Sequence, residues 1–96
     1  MAAALLFAAV ADAQIPLVPR TLQIDTFTCA ELLALPREGQ DRVLIYFDGY
    51  VGGTQRKTTW DERVEGEVVD RAVDHCKVDP SATVLSAFTR AAARPK

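Results

Sequence analysis

The sequence predicts a small all-α domain of four short helices held by a single disulfide. Three observations carry this reading. Apolar side chains recur at helical spacing in four segments separated by Pro, Gly or polar breaks. Two Thr-x-x-Glu patterns, at Thr28–Glu31 and Thr59–Glu62, have the form of capping boxes. The chain holds two cysteines, Cys29 and Cys76, with no Cys-x-x-Cys motif.

Ninety-six residues make one small domain at most. Apolar residues are 49% and charged residues 25%, as in a folded chain with a solvated surface. The net charge is −2 from 13 acidic and 11 basic side chains, mixed along the sequence. That argues against a nucleic-acid binder, which needs a basic stripe, and against a disordered acidic tail.

The first segment is Ala/Leu/Phe-rich, and Ala11-Asp12-Ala13 places small residues where a signal peptidase reads. Residues 1–13 are therefore read as the back half of a secretory signal, truncated at its basic end. The competing reading is a short apolar helix end. A membrane span is excluded, because the uncharged run stops at Asp12 and spanning takes about 20 residues. In an exported chain, two cysteines read as a structural bridge rather than as reactive thiols. Cys29–Cys76 would close a loop of about 48 residues, worth roughly 4 kcal/mol by chain entropy.

Residues 14–26 carry Pro16 and Pro19 without a helical period and read as a flexible arm; residues 27–93 are the domain. Thr28 caps a first short helix, with Phe27 stapled to Leu32, and Pro36 stops it. Gln40–Val51 has strand-like content in Val43–Phe47, yet Val43, Phe47 and Tyr50 recur at helical spacing. It is read as a second helix, capped by Asp41 and ended by Gly52-Gly53. Thr59 caps a third helix, Trp60–Lys77, which buries Val64, Val68, Val69, Ala72, Val73 and Cys76. Glu65 is the misfit within that apolar arc. Asp79-Pro80 reads as N-cap and first position of a fourth helix running to about Ala92.

Phe27-Thr28-Cys29-Ala30-Glu31-Leu32-Leu33-Ala34-Leu35, then Gly39-Gln40-x-Arg42-Val43, then Tyr46-Phe47-Asp48-Gly49-Tyr50, resemble the HdeA/HdeB family. His75-Cys76-Lys77-Val78-Asp79-Pro80 resembles that family's second-cysteine region. The resemblance implies a periplasmic acid-stress chaperone, folded and dimeric near neutral pH. In strong acid it would loosen and bind acid-denatured proteins, with no enzyme activity, cofactor, nucleic acid or membrane involved. It further implies that the bridge limits opening of the acid-unfolded chain. A different class, the periplasmic immunity proteins that neutralise a toxin, is suggested by Gly49-Tyr50-Val51-Gly52-Gly53.

The charge arithmetic permits acid loosening. In strong acid most carboxylates are neutral while Lys, Arg and His75 stay positive, so self-repulsion rises. The pH-responsive candidates are Glu31 and Asp79 at helix N-termini, and Glu65, whose burial without a partner would raise its pKa. The candidate client or dimer surface is Val43, Leu44, Tyr46, Phe47, Tyr50 and Val51, against the plainer reading that all six are core. Three further sites are set aside. His75 and Cys76 are adjacent on a helix and diverge. Glu67, Asp70 and Asp74 form a solvated face mixed with Arg71 rather than a metal site. Gly52-Gly53-Thr54 with Lys57-Thr58 lacks the Gly-Lys-Thr order of a phosphate loop. Trp60 reads as a packing anchor.

Overall fold

A computed structural model describes residues 17–19 and 21–93. The secretory-signal reading of residues 1–13 and the start of the arm at residues 14–16 lie outside the described residues. Among the described residues four helices follow in order: α1 (Cys29–Leu33), α2 (Arg37–Thr54), α3 (Glu62–Val78) and α4 (Val84–Ala92). There is no strand among the described residues, only an isolated antiparallel bridge between Thr28 and Thr83. The all-α, four-helix, single-disulfide class is the observed one.

The predicted capping box forms at α1. The Glu31 N–H donates to Thr28 Oγ1 at 3.1 Å, and the Thr28 N–H donates back to Glu31 Oε1 at 2.9 Å. At the other end of α1, Gln40 Nε2 donates to the carbonyls of Leu33 (3.3 Å) and Leu35 (3.0 Å), joining α1 to α2.

Helix α2 is longer than expected at both ends. Pro36 occupies its N-cap, so Asp41 is an exposed residue inside the helix and caps nothing. Gly52 and Gly53 stay helical, at a cost of about 1 kcal/mol each relative to Ala, and the stop comes later. The Lys57 N–H donates to Gly52 C=O (2.9 Å) and the Arg56 N–H to Gly53 C=O (3.0 Å), a Schellman ending. Arg56 sits at φ 61°, the left-handed region where glycine is preferred. Arg56→Gly is therefore expected to stabilise the fold by about 1 kcal/mol, seen as a raised thermal midpoint. A lowered midpoint would show that the Arg56 side chain outweighs its backbone strain.

The third helix also starts later than predicted. Asp61, not Thr59, is the N-cap, and its carboxylate accepts from the Arg63 (3.0 Å) and Val64 (3.3 Å) N–H groups. A charged acceptor answers the positive end of the helix better than a hydroxyl does. Trp60 stays ahead of the helix and is 68% exposed, so it anchors nothing here, and Val64 turns outward.

Asp79 does not cap the fourth helix. It closes the C-terminal end of α3 and accepts a hydrogen bond from Ser81 Oγ at 2.8 Å. The cap is Thr83, whose side chain accepts from the Ser86 N–H at 3.1 Å. The reason is tertiary. The free N–H groups of Cys29 and Ala30 donate to Ala82 C=O and Pro80 C=O, both at 2.8 Å, and the Val84 N–H donates to Phe27 C=O at 2.9 Å. The starts of α1 and α4 satisfy each other's unpaired donors, holding residues 80–82 in a turn ahead of α4.

The core lies where α1, α2 and α4 meet α3. Phe47 is its centre, fully buried and stacked between Phe27 (ring centroids 6.4 Å) and Phe88 (6.0 Å). The Cys29–Cys76 disulfide joins α1 to α3 beside these rings, with Cα atoms 5.0 Å apart and both residues buried. Val18, Leu22 and Ile24, from the stretch read as an arm, pack on the flank of the core. Gly39 allows this. A Cβ there would collide with the backbone carbonyl of Leu17, so only glycine lets the two backbones come this close. At the far end, the Arg71 guanidinium donates to Ala91 C=O from Nη2 (3.0 Å) and Nε (3.3 Å), closing α4 onto α3.

Candidate functional site

Helix α2 carries two kinds of surface. Of the six residues expected to form a client or dimer surface, Val43, Leu44, Phe47 and Val51 are buried in the folded chain. Tyr46 (52% exposed) and Tyr50 (42%) face outward, their rings 6.2 Å apart. Ile45, absent from that expectation, is the most exposed apolar residue of α2 at 73%. Helical geometry separates the sets: Val43, Phe47 and Val51 recur every four residues, while Ile45, Tyr46 and Tyr50 lie round the outer side. Helix α2 thus presents a small apolar outer face and holds its larger apolar set inside.

The second feature is a polar cluster where α2, the loop 55–61 and the start of α3 meet. Lys57 Nζ donates to Glu65 Oε2, the sole ion pair among the described residues. Glu65 is only 6% exposed, and Asp48 from α2 lines the same groove. Gly49, Gly52, Gly53 and Trp60 complete the walls of the groove around them. Glu65 was legible as a misfit; its partners were not. The usable signal was a second carboxyl, Asp48, in the middle of an apolar helix. Two inward acids demand a cation, and Arg56-Lys57 supplies the basic loop nearest in sequence.

The pairing overturns the expectation for Glu65. Desolvation pushes its carboxyl up, but the hydrogen bond from Lys57, the neighbouring Asp48 carboxyl and the Lys57 charge together hold it below its ordinary value of 4.5. A carboxyl lowered in the fold adds stability above its unfolded pKa, and that contribution is lost as pH falls through the folded value. Glu65 therefore supports the fold fully at neutral pH and in mild acid, and that support is lost only as pH falls below the ordinary carboxylate value toward its lowered one.

Asp48 has the opposite sign. Desolvation, then the neighbouring Glu65 carboxyl and its charge, push Asp48 from 3.8 to about 6, against the pull of Lys57. The fold therefore binds this proton more tightly than the unfolded chain does, and ionised Asp48 weakens it near pH 7. For an enclosed carboxyl the displacement corresponds to about 3 kcal/mol; Asp48 is half-buried, and solvent screening reduces it to about 1 kcal/mol. Asp48→Asn is expected to stabilise the protein by about that amount at pH 7, with the difference gone by about pH 4. Urea unfolding at the two pH values checks both amplitude and sign.

The other expected residues are dispersed. Glu31 is spent on the α1 capping box, and Asp79 lies at the end of α3, neither near the cluster. Cys76 is bridged, so His75 has no thiol beside it to activate. Glu67, Asp70 and Asp74 line an open groove together with Arg71, His75 and Arg90. No group of three or more His, Cys, Asp or Glu among the described residues has a metal-holding arrangement. No described helix is long and apolar enough to cross a membrane.

Fold and surface together define a small helical domain with a buried disulfide, an apolar core built on α2 and one acid-sensitive ion pair. A family model described as the HdeA/HdeB family matches residues 1–86. The chain belongs to that family, a family of periplasmic acid-stress chaperones. No curated protein and no solved structure matches it.

Proposed function

We propose that this protein is a periplasmic acid-stress chaperone, folded near neutral pH, that loosens in strong acid and binds acid-denatured proteins through its own exposed apolar residues. The observation that carries the reading is the match to the HdeA/HdeB family over residues 1–86. The physical support is that Val43, Leu44, Phe47 and Val51 are held inside, where only loosening would offer them to a client. Burial of apolar side chains is worth about 1.5–3 kcal/mol each, enough to drive capture once they are uncovered. At neutral pH the outer face of Ile45, Tyr46 and Tyr50 is the surface a homodimer would cover. No cofactor or catalytic group enters this reading.

The test follows light scattering of an acid-denatured enzyme at low pH and at neutral pH, with and without the oxidised protein. Suppressed aggregation confined to acid, and abolished by reduction, is the expected result. Absence of protection at every pH would sink the assignment. An immunity-type protein would instead bind a toxin at neutral pH through a preformed interface and lose it in acid. Its motif, Gly49–Gly53, is continuous helix within α2, which leaves that reading only the small outer face.

A further inference from the structure

We infer that Lys57, Glu65 and Asp48 form an acid-released latch pinning the N-terminal half of α3 and the loop 55–61 to α2, so that opening pivots about the disulfide. The inference deepens the acid-activated reading and depends on it for its purpose, though the latch itself can be observed without a client.

Different contacts hold the two ends of α3. Near its C-terminal end Cys76 is covalently tied to Cys29, and along its second half Arg71 is bound to the end of α4. Glu65 lies eleven residues before Cys76, about 16 Å along the helix axis, beyond the reach of the covalent tie. There α3 meets α2 across a thinner interface than the one it forms with α4. The sole ion pair among the described residues ties that end of α3 to the loop that follows α2. Lys57 is itself placed by the Schellman ending of α2, its stem running past Gly52. Three elements therefore converge on one buried carboxylate.

The charged groups acting on Glu65 are Asp48 from α2, with Lys57 and Asp61 from the loop; those acting on Asp48 are Glu65 and Lys57. Glu62 and Arg63, on the same turn of α3, are exposed. Mild acid neutralises Asp48 first, which removes its repulsion of Glu65 and leaves the Lys57–Glu65 pair intact. Strong acid then neutralises Glu65, leaving Lys57 charged beside a carboxylic acid. The latch thus holds through mild acid and lets go in strong acid. Release separates α3 from α2 at that end and uncovers Phe47, Val51 and Val68, while the disulfide end stays closed.

Trp60 is the one tryptophan and lines the same groove, so its fluorescence reports the loop. On the oxidised protein we expect steady emission from neutral pH through mild acid and a change only once the pH falls below the ordinary glutamate range, where the lowered carboxyl of Glu65 takes up its proton. Lys57→Met, which keeps the apolar stem, should give the open signal already at neutral pH. Amide exchange over residues 62–68 should then rise about tenfold, as loss of a charge-assisted hydrogen bond implies, with amides around Cys76 still protected. Wild-type emission and exchange in Lys57→Met, or uniform exchange along the chain, would overturn the inference. Should that variant fail to fold, Glu65→Gln answers the same question. Asp48→Asn should open at the same low pH as the wild type; opening at neutral pH would overturn the role given to Asp48. A latch that opens without suppressing aggregation refutes the chaperone reading alone, and protection with an unaltered Lys57→Met refutes the latch alone.

Discussion

Phe47→Ala is expected to cost about 3–5 kcal/mol, enough to remove most or all of the stability of a domain this small. Phe47 is fully buried and stacked on both sides, by Phe27 from the segment before α1 and by Phe88 from α4. Removing the ring leaves a cavity bounded by three elements, and the stacked pairs lose their own contribution of about 0.5–1.5 kcal/mol each. A domain of this size has a total stability of only about 5 kcal/mol. Tyr46→Ala, one residue away and facing solvent, should cost less than about 1 kcal/mol. Urea titrations followed by circular dichroism compare the two. Equal losses would mean that the outer face of α2 is as deeply engaged as the inner one, and the division of α2 drawn above would fail.

The reach of sequence reasoning can be traced on particular residues. Local chemistry was readable: Thr28 and Glu31 meet within one helical turn, and their box formed as the pattern implied. The cysteine pair was readable as well, because the chain has two cysteines far apart in sequence and no Cys-x-x-Cys motif. Starts and stops decided by distant partners were not. Asp79-Pro80 has a sound local claim to begin a helix. It lost to Thr83 because residues 80–83 supply carbonyls to the donors at the start of α1. Gly52-Gly53 looked like a terminus, yet glycine only weakens a helix, and the Schellman bonds formed three residues later. Within the candidate surface, helical spacing identified the apolar residues of α2 but not which side faced inward. That depended on Phe27 and Phe88, far away in sequence. The partnership of Lys57 with Glu65 is also tertiary, and with it the sign of Glu65's response to acid reversed.

Breaking the disulfide tests how the two ends of α3 divide their work. The bridge spans 47 positions of sequence, and in the chain-entropy account its removal costs roughly 4 kcal/mol. Against a total of about 5 kcal/mol, the Cys29→Ala/Cys76→Ala protein should keep only about 1 kcal/mol, with a measurable unfolded fraction at neutral pH. The double substitution is the right one, since a single change would leave a buried unpaired thiol and confuse two effects. Because the bridge acts mainly on the unfolded chain, its loss should also steepen the denaturant dependence, as the unfolded state expands. Suppose instead that stability falls while the slope is unchanged. The bridge would then act through packing of Cys29 and Cys76, both buried, and not through the loop it closes. A variant within about 1 kcal/mol of the wild type would leave the ion pair at Glu65 and the core around Phe47 to hold α3 unaided. Acid should then open the helix along its whole length, with no pivot at Cys76.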